Sequence, residues 1–167
     1  KRVNQIITFL KSLKIRSKRF TEIINNKDIS VIQGFNQALI HSSHDKIINY
    51  EKLEFFGDAV LRLAASNFIE KKYPQMSVGE RSELRAQIVS DEWLTKLGKK
   101  ISIDKLIIKG PKALGDENSS NTITGESAEA LIGSIYKCFN SIEEVNLWLD
   151  DIWEEDSEIF LKAPYKF

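Results

Sequence analysis

Five carboxylates in two segments carry the chemistry that this chain of 167 residues offers. From Tyr50 to Tyr73 the pattern is helical, and at about 100° per residue Glu51, Glu54 and Asp58 fall within an arc of roughly 60°. In a second helix, expected from Thr124 or Gly125 to Phe139, Glu126 and Glu129 share the side opposite Leu131, Ile132, Ile135, Tyr136 and Phe139. Each stripe alone is what a solvated helix face looks like. Packed side by side, the two helices would bring four or five acids to one cleft, where their repulsion is tolerable only with a cation between them. An all-oxygen site suits Mg²⁺ or Mn²⁺, and the lack of clustered His or Cys argues against zinc. The implied chemistry is metal-assisted attack on phosphate.

Other reactive residue types offer less. His41 reads as structural and His44 as a loop residue. Trp93, Trp148 and Trp153 occupy helical positions suited to a core, and Cys138 reads as a plain thiol. Phe55 is the odd aromatic. It lies about 200° from Leu53 around the helix, away from the core stripe of Leu53, Phe56, Gly57, Val60, Leu61, Ala64 and Phe68, and so calls for a partner surface.

The elements that must position these groups are all helical. Val3 to Leu13, Phe20 to Ile24 and Ser30 to His41 give three short amphipathic stretches. Asn49 is a candidate N-cap for the long helix, which Pro74 stops. Val78 to Leu97 reads as one further helix, with Ser77 and Glu80 as a capping box and Gly98 as C-cap. Ile101 to Gly110 reads as a short helix or extended connector, Gly110 to Asn121 as a loop, and Ser141 opens a last helix through Trp153. The expectation is an all-α fold in one domain, residues 1–160, with residues 161–167 as a tail or the start of a linker.

Composition narrows the class. With 24 basic and 24 acidic residues, 42 % hydrophobic and 29 % charged, the chain has neither the signature of disorder nor that of a disulfide scaffold. The single Cys138 excludes an intrachain disulfide. No apolar run reaches the roughly 20 residues of a membrane span, so no membrane partner and a cytoplasmic location are expected. The zero net charge hides an asymmetry: Lys1 to Arg19 holds seven bases and no acid, Glu143 to Glu158 eight acids and no base. A basic arm invites a polyanion, whereas the acidic run reads as a solvated face.

The segment Asn49-Tyr50-Glu51-Lys52-Leu53-Glu54-Phe55-Phe56-Gly57-Asp58-Ala59-Val60-Leu61 closely resembles the signature helix of ribonuclease III, the double-stranded-RNA endonuclease. Supporting matches are Ala38-Leu39-Ile40-His41-Ser42, Leu84-Arg85-Ala86 with Val89-Ser90, and Glu129-Ala130-Leu131-Ile132-Gly133-Ser134-Ile135-Tyr136. The resemblance covers roughly residues 3 to 153. It implies the helical endonuclease domain of that family, homodimeric through the signature helices, with a catalytic site on either side of a valley that holds double-stranded RNA.

By the same resemblance Glu54, Asp58, Glu126 and Glu129 are the catalytic and Mg²⁺-binding residues, with Mn²⁺ a substitute. Glu51 lies at the site's edge, and Phe55 plugs a pocket of the partner subunit. Two ions about 4 Å apart would act when substrate is bound, leaving 5′-phosphate and 3′-hydroxyl ends, with no organic cofactor. The family has Asp where this chain has Glu126. The extra methylene moves the carboxylate by ~1.5 Å, and the small Ala128, where the family has a bulky aromatic, is expected to leave room. The alternative is a catalytically weakened relative serving as an RNA-binding or ribosome-associated scaffold. Basic candidates for RNA contact are the amino-terminal arm and the loop with Lys105, Lys109 and Lys112. Most bacterial members carry a double-stranded-RNA-binding domain next; the chain stops at Ala163–Phe167, where a linker to it would be expected.

Overall fold

A computed structural model describes residues 1–113 and 115–162, with side chains described through Asp156. The helices in chain order are α1 (Arg2–Ser12), α2 (Lys18–Asn25), α3 (Ile29–Gln37), α4 (Glu51–Lys72), α5 (Val78–Ile88), α6 (Asp91–Lys100), α7 (Glu117–Phe139) and α8 (Glu143–Lys162). Short 3₁₀ turns cover Ile103–Lys105 and Pro111–Ala113. The architecture is all-α, as expected. Of the proposed 161–167 tail, the first two residues continue α8 and the rest lies outside the described residues.

α7 runs through the middle and is buried on most of its faces, which explains its Ala, Gly, Ser and Ile content. α4 and α6 make the most extensive contacts with it. The main core gathers Leu10, Phe20, Phe35, Leu61, Phe68, Leu84, Trp93, Ile132, Ile135 and Trp153 around this trio. Phe68, Trp93 and Trp153 meet in tilted ring contacts 5.4 to 5.5 Å between centroids, so the indoles serve packing.

The structure corrects the sequence reading at four points. Val78 to Leu97 is not one helix: the chain breaks after Ile88, and Ser90 turns extended so that its hydroxyl accepts the Trp93 amide at 3.1 Å and starts α6. Gly98 is consequently no C-cap but lies inside α6, where an added Cβ would stand 2.5 Å from Thr124 Cγ2. α7 begins at Glu117, eight residues before Gly125, because Asp116 accepts the Ser119 amide at 2.9 Å. Thr122 and Thr124 donate to the carbonyls of Asn118 and Ser120, so a polar run that reads as loop is accommodated in a helix.

The fourth correction concerns the charged ends. Arg2 donates to Asn36 Oδ1 and the Leu106 carbonyl at 2.9 and 2.8 Å. Arg16 grips Asp151 with two bonds of 2.8 Å, and Arg19 stands 3.4 Å from Glu144. The arm is thus partly built into the fold, and α8 is no idle solvated face: its acids clasp α4 and α6 as well, through Lys71, Lys72 and Lys100.

Candidate active site

α4 and α7 touch backbone to backbone. A Cβ on Gly57 would stand 2.0 Å from the carbonyl oxygen of Glu129, and one on Gly133 would stand 2.6 Å from that of Leu53. Only glycine at both positions permits this approach. The crossing sets Glu54 and Asp58, on either side of Gly57, against Glu126 and Glu129, two turns and one turn before Gly133. The N-cap of α4 is Tyr50, one residue after the Asn49 expected from sequence; Asn49 Oδ1 accepts the Glu51 amide at 3.0 Å from just outside the helix.

The crossing brings Glu54 against Glu126 and Glu129 against Asp58, carboxyl facing carboxyl. Burial first, then the charges of Glu126, Glu51 and Asp91, push the Glu54 carboxyl up to about 7. Burial, then Asp58, Glu54 and Asp91, push Glu129 up to about 8. Carboxyls that retain protons near neutrality mark a place where negative charge is in excess and solvent scarce. Arg62 relieves only Asp58, at 3.3 Å on an exposed face.

Glu54, Glu126 and Glu129 line a cavity of about 500 Å³ together with Asp91, Thr95 and Asn121, and Asp58 stands outside that lining. Glu51 is exposed, and its charge bears on Glu54 and Tyr50 from the edge of the cavity. Phe55 points away from the cavity and is 84 % exposed. Among the described residues no three acids, His or Cys close around one point as a ready-made metal cage. The donor set nevertheless fits a hard cation: all oxygens, partly buried, drawn from two helices and facing one another.

Two contributors escaped the sequence reading. Asp91 opens α6 and raises both Glu54 and Glu129; its only sequence signal was an acid next to Ser90, unrecognised as a cap. Tyr50 donates its hydroxyl to Glu126 Oε1 at 2.7 Å. The expected effect of Ala128 is corrected here: Ala128 is buried in the main core, two residues and about 200° around α7 from Glu126, so it makes no room for that side chain. His41 stays structural in its contacts: its Nδ1 lies 2.7 Å from the Ser43 hydroxyl, and its backbone N–H donates to the Ile108 carbonyl beside the single parallel bridge Ile40–Ile108.

Comparison with known proteins places this geometry. The Ribonuclease-III-like family profile matches residues 33–145. Ribonuclease 3 of Prochlorococcus marinus is 44 % identical over 165 residues, spanning 99 % of this chain and 66 % of that protein. Ribonuclease 3 2 of a Synechocystis species is 40 % identical over 114 residues, 68 % of this chain and 47 % of its own length. The chain thus spans between about half and two thirds of these relatives. In fold it is similar to the nuclease domain of ribonuclease III from Campylobacter jejuni, a protein described as structurally flexible in a region of dimer formation. The TM-score is 0.69 at 23 % identity, covering 89 % of this chain and 94 % of that one.

Proposed function

Because the chain belongs to the ribonuclease III family, we propose that it is a Mg²⁺-dependent endoribonuclease that cuts double-stranded RNA to 5′-phosphate and 3′-hydroxyl ends. The observation that carries this reading is the crossing of α4 and α7 at Gly57 and Gly133, which gathers four carboxyls from two helices and leaves Glu54 and Glu129 pushed up to about 7 and 8. Glu54, Asp58, Glu126 and Glu129 would hold the metal, with Mn²⁺ as substitute. Bound there, the metal supplies a water of lowered pKa as nucleophile and charge for the departing 3′-oxygen. The chain's own part is to fix the four carboxylates across the Gly57–Gly133 crossing and, through Asp91, to add negative charge that draws a cation to the cavity.

An A-form duplex offers phosphates and 2′-hydroxyls rather than readable base edges, so a site of this kind recognises shape. Lys112 lines a second cavity with His41, Ser43 and Glu126, next to the acid cavity, where a phosphate backbone would pass. The partly engaged amino-terminal arm contributes less. A homodimer accords with Phe55, 84 % exposed, and with Val78, 83 % exposed, which a second copy would cover. The lone free Cys138 accords with a reducing, cytoplasmic setting, and among the described residues no helix is long and apolar enough to cross a membrane.

Labelled duplex RNA incubated with Mg²⁺ and with chelator tests the reading. Cleavage should need the metal, and Glu129→Gln and Asp58→Asn should each lower it by at least about a thousandfold while duplex binding persists. A folded protein that binds duplex but cuts at no Mg²⁺ or Mn²⁺ concentration would instead be the RNA-binding scaffold. Phe55→Ala should weaken self-association by about tenfold or more in sedimentation, and an unchanged profile refutes the plug.

A further inference from the structure

We propose that Tyr50 is the positioning residue for Glu126, and that the phenol and the long acid form a matched pair that presents this carboxylate to the divalent cation. The inference rests on the metal-site reading above and adds to it a residue outside the acid stripes. Tyr50 precedes α4 and is 2 % exposed, yet its hydroxyl reaches the cluster and donates to Glu126 Oε1 at 2.7 Å. The contact joins residues 76 positions apart.

Tyr50 is itself held from several sides. Its backbone N–H donates to the Ile40 carbonyl at 2.9 Å, and its carbonyl accepts the Glu54 amide at 2.8 Å. Its ring meets the edge of His41 at 5.8 Å and 70°. His41 is braced in turn by Ser43, whose hydroxyl oxygen accepts the Gly110 amide at 2.8 Å, and Ser43 is packed so closely that a Cβ on Gly110 would stand 2.3 Å from its carbonyl oxygen. The phenol oxygen is therefore a fixed point.

Glu126 is not fixed by its own helix. It has three side-chain torsions where an Asp would have two, and its other carboxyl contact is Glu54, itself half-buried in the same cavity. One strong bond from a rigid donor removes that freedom and leaves the remaining acceptor capacity facing the other acids. Partners that orient ligands in this way commonly change metal affinity by about ten- to a hundredfold. The match is also one of length: an Asp at 126 would place its oxygens ~1.5 Å short of the phenol, beyond hydrogen-bond reach.

A double-mutant cycle on the whole chain tests this, with Mg²⁺ binding followed by calorimetry in wild type, Tyr50→Phe, Glu126→Asp and the double variant. Tyr50→Phe removes one oxygen, and its thermal midpoint without Mg²⁺ reports whether the core is intact. With Glu126 present it should weaken Mg²⁺ binding about tenfold. In the Glu126→Asp background, where the phenol has nothing to reach, the same change should cost less than about twofold. Equal losses in both backgrounds, or none with Glu126, overturn the pairing while leaving the metal site standing. A wild-type chain that takes up no Mg²⁺ overturns both, so the two failures are told apart. If Tyr50→Phe does not fold, Glu126→Asp alone decides: it should bind Mg²⁺ about tenfold more weakly than wild type, and binding as tight or tighter refutes the match.

Discussion

Two parts of the molecule are rich in acid, and they treat it in opposite ways. Along α8 the acids stand against bases from other parts of the chain: Asp150 with Lys71, Asp151 with Arg16, Glu154 with Lys72, Glu155 with Lys100 and the buried Glu144 with Arg19. Across α4 and α7 the acids face one another, and the largest of their charge interactions are repulsive. The first arrangement ties elements together. The second opposes folding and persists because the Gly57–Gly133 crossing and the surrounding core force it. Count of carboxylates does not separate a binding site from a clasp; what does is whether the counter-charge is already present in the chain.

The comparison breaks most completely if the crossing is opened. Gly57→Ala places a methyl group where 2.0 Å separates it from the Glu129 carbonyl oxygen, so α4 and α7 must move apart. The expected cost is about 3 kcal/mol or more in urea unfolding, beyond ordinary overpacking because the obstacle is backbone. With it the high pKa of Glu129 should fall toward 4.5, since its carboxyl would gain water and Asp58 and Glu54 would press on it less. A Gly57→Ala protein as stable as wild type would mean that the helices do not depend on this contact.

The same comparison explains what could be read in advance. The α4 stripe, its stop at Pro74 and the capping box at Ser77 are local, and each was legible because its determinants lie within a turn or two, whereas the N-cap of α4 fell one residue later, at Tyr50. The acid stripes were legible as stripes. Their meeting was not derivable from periodicity, since it depends on two glycines 76 residues apart that share no local pattern. Ser90 was missed because Val78 to Leu97 keeps a helical period across the break, and Asp91 was lost with it. The start of α7 was missed because Asn, Ser and Thr favour loops until their side chains bond back to the helix. The role of α8 was hidden by distance: Lys71 and Asp150 are 79 positions apart, Arg16 and Asp151 135.

A second prediction uses pH. Glu54 and Glu129 hold their protons to about 7 and 8 in the folded chain, against an ordinary 4.5 when unfolded. The folded state therefore binds more protons through this interval, and its stability relative to the unfolded chain falls as pH rises. The contribution is fully present below about 4.5 and lost above about 8. Without metal, the thermal midpoint should drop from pH 5 to pH 8, Glu129→Gln should flatten the drop, and Mg²⁺ should offset it most at the alkaline end. A metal-free midpoint that does not vary with pH would show that the cluster carries no stored repulsion.

At α8 the expectation is smaller and of the other sign. Lys100→Ala and Lys71→Ala each remove a base from an acid that keeps access to water, Asp150 the less so, and exposed pairs contribute at most about 1 kcal/mol. Because screening acts on such pairs, raising salt from about 0.05 to 0.5 M should shrink even that difference from wild type. Salt should act oppositely at the acid cluster, where ions ease repulsion, so Glu129→Gln should gain less over wild type at high ionic strength. If lysine removal from α8 cost as much as opening the glycine crossing, the clasp would be the main support of the fold and the contrast between the two regions would invert. Denaturation midpoints of the Lys71→Ala, Lys100→Ala and Glu129→Gln chains at the two salt concentrations decide it.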